Sequence, residues 1–393
     1  MIIGKAAVFP KRILYITHRA STSPEEEWCS YLSSKGAEVH LIGHPFPYKK
    51  PNASHWIIWN SGRIVRRTNL GPSVTHVPEL LFFLKDFLLN FLLVFLLRFK
   101  PVDLCISADP LNTCSILFFR KCGWIRHLIH YTIDYAPVRS KNKALNSLYH
   151  FLDRLACYHS DTLWVLSPRM MTARFSNGVD QTRCAPVVVV PMGADLSRIQ
   201  VPVQPPQPRR LVYMGSLREN QGLDLCVEVF AKLRKKFPDL TWEIVGEGWK
   251  RTELEKKLKD LGQADSVVWH GFQADHRDLE RILSRGGVGL ALYEPSPDTY
   301  TNVADPGKPK IYMACGLPVL ITSVPAVADE IARSGAGEII PYEVSAAVET
   351  LTRWFVDEEK MKALRKAALA LAKRYDWPFI FEKTLSTTFS KPR

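Results

Sequence analysis

Short apolar runs alternate along this chain with longer stretches in which apolar residues recur every three or four positions. In the first half the runs fall at 12–17 (RILYIT), 37–43, 55–59, 102–107, 127–134, 162–167 and 187–190. Their length and their Val, Ile, Leu and aromatic content predict strands, and most of the intervals leave room for a helix. Such alternation predicts parallel sheets covered by helices on both faces. From residue 198 the text becomes RIQVPVQPPQPRR, where Pro202, Pro205, Pro206 and Pro208 exclude a regular helix or a central strand. A linker is predicted at 201–209. The alternation then restarts at 210–215, 240–246, 266–271, 288–293, 318–323 and 338–341, and two helical segments, 358–373 and 377–389, close the chain. The pattern therefore predicts two Rossmann-like, doubly wound α/β domains, 1–200 and 210–375, with 376–393 as a terminal helix. Two such domains facing each other would form a cleft at the carboxyl ends of their strands, where ligands bind in these folds.

The segment 80–99 (LLFFLKDFLLNFLLVFLLRF) breaks the rule that a surface helix has a polar side. Its longest uncharged part, 87–97, spans about 16 Å at 1.5 Å per residue, against a hydrocarbon core of about 30 Å. With Lys85, Asp86 and Arg98 also in the window, a membrane crossing is not expected. Two readings remain: a helix buried in the first domain, or one partly exposed that dips into a lipid leaflet. The basic residues Arg63, Arg66, Arg67, Arg98 and Lys100 around it favour peripheral attachment.

Charge changes the picture in the same direction. Of the 52 Lys and Arg residues, 24 lie in 1–200 against 13 Asp and Glu, whereas the remainder of the chain is nearly neutral. The first half is thus expected to face something anionic. A nucleic acid is the poorest fit, because no interleaved exposed aromatics and no known binding motif accompany the basic residues. The eight cysteines form no CxxC pair and no spacing suited to zinc, and read as reduced core thiols. No metal and no cofactor are expected. The opening MIIGKAAVFPKRILYITH lacks the sustained apolar region of a secretory signal, so the expected location is cytoplasmic, peripheral on the inner face of the membrane.

Candidate chemistry sits at the ends of the predicted strands. The first strand runs into His18 and then Arg19-Ala20-Ser21-Thr22-Ser23-Pro24, without GxGxxG or GxxxxGK[ST], which disfavours a dinucleotide oxidoreductase or a P-loop enzyme. Ser23 before Pro24 and Glu26 reads as a helix cap. In the second half, Met214-Gly215-Ser216-Leu217 leads to Gln221-Gly222-Leu223-Asp224. The glycine turns Ile244-Val245-Gly246-Glu247-Gly248 and Val268-Trp269-His270-Gly271-Phe272 follow. A loop, Asp305-Pro306-Gly307-Lys308-Pro309-Lys310, then enters a short helix, Ile311-Tyr312-Met313-Ala314-Cys315, closed by Gly316-Leu317-Pro318. Glycine turns between strand and helix turn backbone N–H groups toward an anion.

This ordered set of turns resembles that of GT-B glycosyltransferases of the family 4, or group 1, type, most densely over 211–331. The resemblance implies transfer of a sugar from a nucleoside-diphosphate sugar, typically with retention and without a structural metal. It also implies that the terminal helix after Trp377 crosses back to the first domain. Donor contacts are then expected at Gly215, Ser216, Arg218, Gly246, Gly271, Phe272, Asp305, Pro306, Tyr312 and Met313. Lys308 would offset the diphosphate charge. The chain departs from the family pattern at the E-x7-E pair, whose positions hold Val303 and Ile311, and at the usual Arg and Lys of the first glycine turn, which are Ser216 and Gln221. A divergent member, or one that has lost activity and acts as a sugar-nucleotide-binding scaffold, is expected.

The first domain would recognise a glycan or lipid-linked acceptor, as in polysaccharide biosynthesis. His18, Asp109 and Arg139 are its candidate contacts, with Lys141 and Lys143 beside Arg139 suited to a pyrophosphate. Asp134, where an apolar strand stops before Pro137, is the candidate catalytic carboxylate. It would act as general base in an inverting reaction, or orient the acceptor in a retaining one.

Overall fold

The computed structural model describes residues 9–18, 24–46, 53–70, 78–97, 101–140, 142–199, 207–296 and 300–390. The proline-rich 201–206, the Ser23 cap, Arg98, Lys100 and Lys141 lie outside them. The chain packs as two units, Met1–Val190 with Phe381–Arg393, and Pro191–Ile380.

The first unit runs β1 (Arg12–His18), α1 (Glu25–Ser34), β2 (Glu38–His44), β3 (Ser54–Asn60), β4 (Arg63–Leu70), α2 (Glu79–Leu96), β5 (Leu104–Ala108), α3 (Pro110–Lys121), β6 (Leu128–Thr132), α4 (Lys143–His159), β7 (Thr162–Val165), α5 (Pro168–Ser176) and β8 (Val187–Val189). Its sheet has the order β4-β3-β2-β1-β5-β6-β7-β8. The central strands are buried on both faces, which is why they read as unbroken apolar runs. At one edge the expectation of a wholly parallel sheet fails, since β2–β3 and β3–β4 pair antiparallel. Ser61 and Gly62, both at positive φ (50° and 76°), form the two-residue turn between β3 and β4. The pattern of β4 (RIVRRTNL) concealed it, because an exposed edge strand carries arginines instead of an apolar face.

Helix α2 packs Leu93, Val94 and Leu97 into the same core as Leu14, Ile16, Ile42 and Cys105, beside Phe119 of α3. Deeper in this unit, Arg174 of α5 grips Asp153 of α4 through two hydrogen bonds of 2.9 and 2.7 Å, and donates a third, 2.7 Å, to Thr132. Both charges are excluded from water. Burial opposes the ionised carboxyl, but the Arg174 guanidinium outweighs it and holds the Asp153 pKa far below the usual carboxylate range.

The second unit runs β9 (Arg210–Met214), α6 (Leu223–Arg234), β10 (Thr241–Val245), α7 (Arg251–Asp260), β11 (Val267–Gly271), α8 (His276–Ser284), β12 (Val288–Ala291), α9 (Gly307–Ala314), β13 (Val319–Thr322), α10 (Ala328–Ser334), β14 (Gly337–Ile340), α11 (Val344–Val356) and α12 (Glu358–Ala372). Its sheet is wholly parallel in the order β11-β10-β9-β12-β13-β14, the doubly wound arrangement. Two apolar cores, one centred on Phe230, Trp242 and Trp354 and the other on Tyr312, Met313 and Ile331, fill its two faces. The last helix, α13 (Trp377–Ser390), belongs to the second unit up to Ile380 and to the first from Phe381. Phe381 lies 4.0 Å from the Trp28 ring, centroid to centroid, and Thr388 accepts a hydrogen bond from Trp164.

Arg174→Met leaves Asp153 buried without its cation and should lower stability by about 3–5 kcal/mol. Urea unfolding followed by circular dichroism measures this; the double change Arg174→Met with Asp153→Leu should recover most of the loss.

Candidate functional site

In the second unit the strand order reverses between β9 and β12, and the loops leaving β9, β10 and β11 gather at the carboxyl edge beside that point. They meet backbone against backbone, with the Trp249 indole of the second loop also donating to Glu219 of the first at 2.8 Å. A Cβ on Gly246 (φ 139°) would lie 2.0 Å from the Gly215 carbonyl oxygen, and one on Gly222 (φ 70°) would lie 1.5 Å from that of Leu292. Hydrogen bonds fix the stack: the Gly215 N–H donates to Val245 O, the Leu217 N–H to Glu247 O and the Gly246 N–H to Gly271 O. One expectation is thereby corrected. Gly215 spends its N–H inside this stack, whereas the N–H of the exposed Ser216 has no acceptor among the described residues.

Lys308, in the first turn of α9, lies against this shelf. A Cβ on Gly215 would sit 3.4 Å from its Nζ, which donates to the Gln221 side-chain oxygen at 3.1 Å and rests 4.1 Å above the Tyr213 ring and 5.0 Å from that of Tyr293. Only 7% of the residue is exposed, and no carboxylate among the described residues pairs with it, so burial lowers its pKa to about 7. Gln221 occupies the place where the family pattern carries a lysine. A neutral amide oxygen there receives the ammonium instead of repelling it.

The remaining predicted donor residues divide. Gly271 (φ 67°) and the exposed Phe272 end β11 at the same edge, and Arg218 follows Ser216 on the first glycine turn. Pro306 is the N-cap position of α9, which has no side-chain cap. Asp305 is buried, paired with Lys310, and accepts the Met192 N–H at 2.8 Å, so it anchors the loop that carries Lys308. Tyr312 and Met313 are core residues; the Tyr312 hydroxyl accepts from Met214 N–H at 2.7 Å and ties α9 to β9. Val303 is buried, and Ile311 packs against the core around Tyr312, so both positions of the absent glutamate pair are filled by packing.

In the first unit the order reverses between β1 and β5, and the parallel register Ile16–Ser107 carries His18 and Asp109 to the same level past the strand ends. His18 Nδ1 lies 2.6 Å from Asp109 Oδ2 and its Nε2 lies 3.3 Å from Asp86 Oδ2. Both ring nitrogens face carboxylate oxygens, so both donate, and the ring is an imidazolium. Burial alone would lower its pKa, but Asp109 and Asp86 outweigh burial and raise it to about 9. Asp109 caps α3 at φ 74°, accepting the Asn112 N–H at 2.9 Å, a strained conformation for a residue with a Cβ. Asp86 is fully buried and also meets His44 (3.2 Å) and Lys85 (2.7 Å). The structure therefore joins two of the predicted acceptor residues. Arg139 stands apart, exposed, with its backbone N–H on Asn146 and its guanidinium 5.8 Å from the Tyr149 ring. Asp134 is exposed beyond the end of β6. Sequence reasoning missed Tyr213, Tyr293 and Gln221 around Lys308, and Asp86, His44 and Asn112 around His18.

Residues 208–369 match the model of the family described as glycosyl transferases group 1. The glycogen synthase of Mycobacterium tuberculosis H37Rv is 22% identical over 261 residues, 64% of this chain and 59% of that protein. The chain thus spans less than two thirds of the length of the curated relatives it matches. Among solved structures, sucrose-phosphate synthase from Thermosynechococcus elongatus superposes with a TM-score of 0.72 at 16% identity, covering 97% of this chain and 99% of that one. Anabaena HepE in complex with UDP-glucose gives 0.66 at 15% identity, covering 97% and 100%. These likenesses show the fold, which is GT-B.

The state of Lys308 should make the binding of any anion beside it pH-dependent. An anion beside Nζ favours the protonated amine, so a nucleoside diphosphate should raise the Lys308 pKa from about 7 and take up a proton on binding. Affinity should fall as pH rises from 7 to 9, by up to about tenfold per unit. Calorimetry in buffers of different ionisation enthalpy measures the uptake; Lys308→Met should abolish it.

Proposed function

We propose that this chain is a nucleotide-sugar-dependent hexosyltransferase whose second unit holds the donor and whose first unit receives the acceptor. One observation carries the reading: an amine with no carboxylate partner among the described residues, buried on a shelf of glycine turns at the carboxyl edge of a doubly wound sheet. An ammonium in that setting awaits an anion. The diphosphate would take its charge from Lys308 and its hydrogen bonds from amides such as that of Ser216, without a metal or another cofactor. Phe272 would lie beside the base.

Catalysis in this reading is mainly positioning and stabilisation of the leaving diphosphate. The sugar C1–O(phosphate) bond breaks, its electron pair stays on the diphosphate, and C1 bonds to an acceptor hydroxyl oxygen. With retention, which the family resemblance favours, the acceptor proton passes to the departing phosphate and Asp134 orients the acceptor; with inversion Asp134 takes that proton. The basic first unit suits a lipid-linked acceptor with a phosphate or pyrophosphate, and work at the cytoplasmic face of a membrane. The packed Val303 and Ile311 support the competing reading, a fold that keeps the donor site without turnover.

A thermal-shift screen with UDP, GDP, ADP, CMP and their sugar conjugates tests the site, since a ligand of the folded state raises Tm by mass action. One base should give a shift, and Lys308→Ala should weaken that ligand by about 10- to 100-fold. Slow hydrolysis of the matching sugar nucleotide, lost in Lys308→Ala, separates an enzyme from a binding scaffold. A cooperative melt that no nucleotide moves would overturn the donor site.

A further inference from the structure

Helix α2 turns an apolar face to solvent. Leu80, Leu81, Leu84, Leu88, Leu92 and Leu96 are each about half exposed and recur at helical spacing along one face. Phe91 on the same face reaches Phe118 of α3, itself 54% exposed, at 5.9 Å between centroids. A surface helix of a water-facing protein places charged residues there. Apolar exposure of this extent on one element marks an interaction surface. Among the described residues no helix is long and apolar enough to cross a membrane.

The opposite face of α2 explains how the helix is held. Asp86 and Asn90, four residues apart, point inward and are fully buried. Asp86 meets His18 and His44 at the ends of β1 and β2, while Asn90 receives His44 Nε2 at 2.7 Å and donates to Asn112 of α3 at 2.8 Å. At its far end the Leu97 carbonyl accepts from Arg12 at the start of β1. The helix therefore runs across the sheet from the edge that carries Asp109 to the opposite edge, its N-terminal half bolted to the predicted acceptor residues.

Charge selects the occupant. Between residues 80 and 97 the only carboxylate is Asp86, and it is buried. Two cations stand free of it: Lys121 lies one turn beyond Phe118, and Arg66 lies on the sheet face that α2 covers, opposite Ile58, while Lys85, one-third exposed over the Phe82 ring, pairs with Asp86 at 2.7 Å. A second copy of the same surface would bring these cations together. An anionic leaflet accepts both the apolar face and the cations around it.

We infer that the outward face of α2, continued by Phe118, seats this protein on an anionic lipid leaflet with the helix lying in the interfacial plane. The acceptor keeps its lipid portion in that leaflet and presents its hydroxyl at the His18–Asp109 edge. The second statement rests on the transferase reading above; the first does not.

Sedimentation of the full chain, without nucleotide, with vesicles of phosphatidylcholine or of phosphatidylcholine with phosphatidylglycerol tests the surface. Wild type should partition onto the anionic vesicles, less so at high salt. The pair Leu84→Glu with Leu88→Glu should reduce partition by about tenfold or more, and Lys121→Glu should weaken it on anionic vesicles alone. Leu88→Gln with Leu92→Gln serves the same purpose should the acidic pair fail to fold, and an unchanged Tm certifies each variant. Equal partition of wild type and folded variants would overturn the inference. So would a wild-type dimer that these substitutions dissolve without any vesicle binding. Nucleotide binding is read separately, so loss of the donor site with vesicle binding intact refutes the transferase reading and leaves the surface standing.

Discussion

The contact of bare backbone with bare backbone is the constraint on which the second unit depends. Parallel strands deliver their following loops to one edge, and side chains would hold those loops apart. At Gly215, Gly246 and Gly222 there are none, and the carbonyls of Gly215 and Leu292 occupy the space where a Cβ would be. Close approach makes a flat polar shelf and leaves Lys308 a slot lined by Tyr213, Tyr293 and Gln221. An ammonium pressed into such a slot loses hydration that no carboxylate among the described residues restores. The unit stores an unmet demand for negative charge at the point where its sheet reverses order.

The first unit solves a different problem. Its sheet ends in ionisable groups, His18, His44 and Asp109, and these are covered by an apolar helix. Two polar residues on that helix, Asp86 and Asn90, meet them, so the buried polar atoms find partners in a closed set. The imidazolium lies between two carboxylates, and Asp109 keeps a backbone conformation that only such surroundings sustain.

Much of this was legible in the residues. Strands β9 and β10 are largely buried runs that stop at glycine, β14 stops at proline, and β12 and β13 are wholly buried, and those signals survive in the text. The hairpin β3–β4 was not legible, because an arginine-rich edge strand lacks the apolar alternation that announces one. The 80–99 segment announced its own ambiguity, and the fold resolves it by burying one face and exposing the other. Asp86 read only as a charge that forbids a membrane crossing. Its spacing from Asn90 placed both on one side of the helix and could have marked that side as the inward one. Tyr312 and Met313 sit in the densest motif of the family pattern, yet a motif also records the packing that holds a loop. Which of its members look outward depends on the turn of a single short helix.

Asp305 carries a practical consequence. It holds the loop of Lys308 partly through the backbone amide of Met192, and Asp376 likewise accepts the amide of Leu196. The proline-rich stretch at 201–206 looks like a natural place to cut. A fragment begun there would contain every strand of the second sheet and every glycine turn, yet it would lack the ten residues that complete the floor beneath its own ligand loop. Anyone who isolates this half for crystallisation or screening needs to start upstream of Pro191, or a silent fragment will be mistaken for a silent protein.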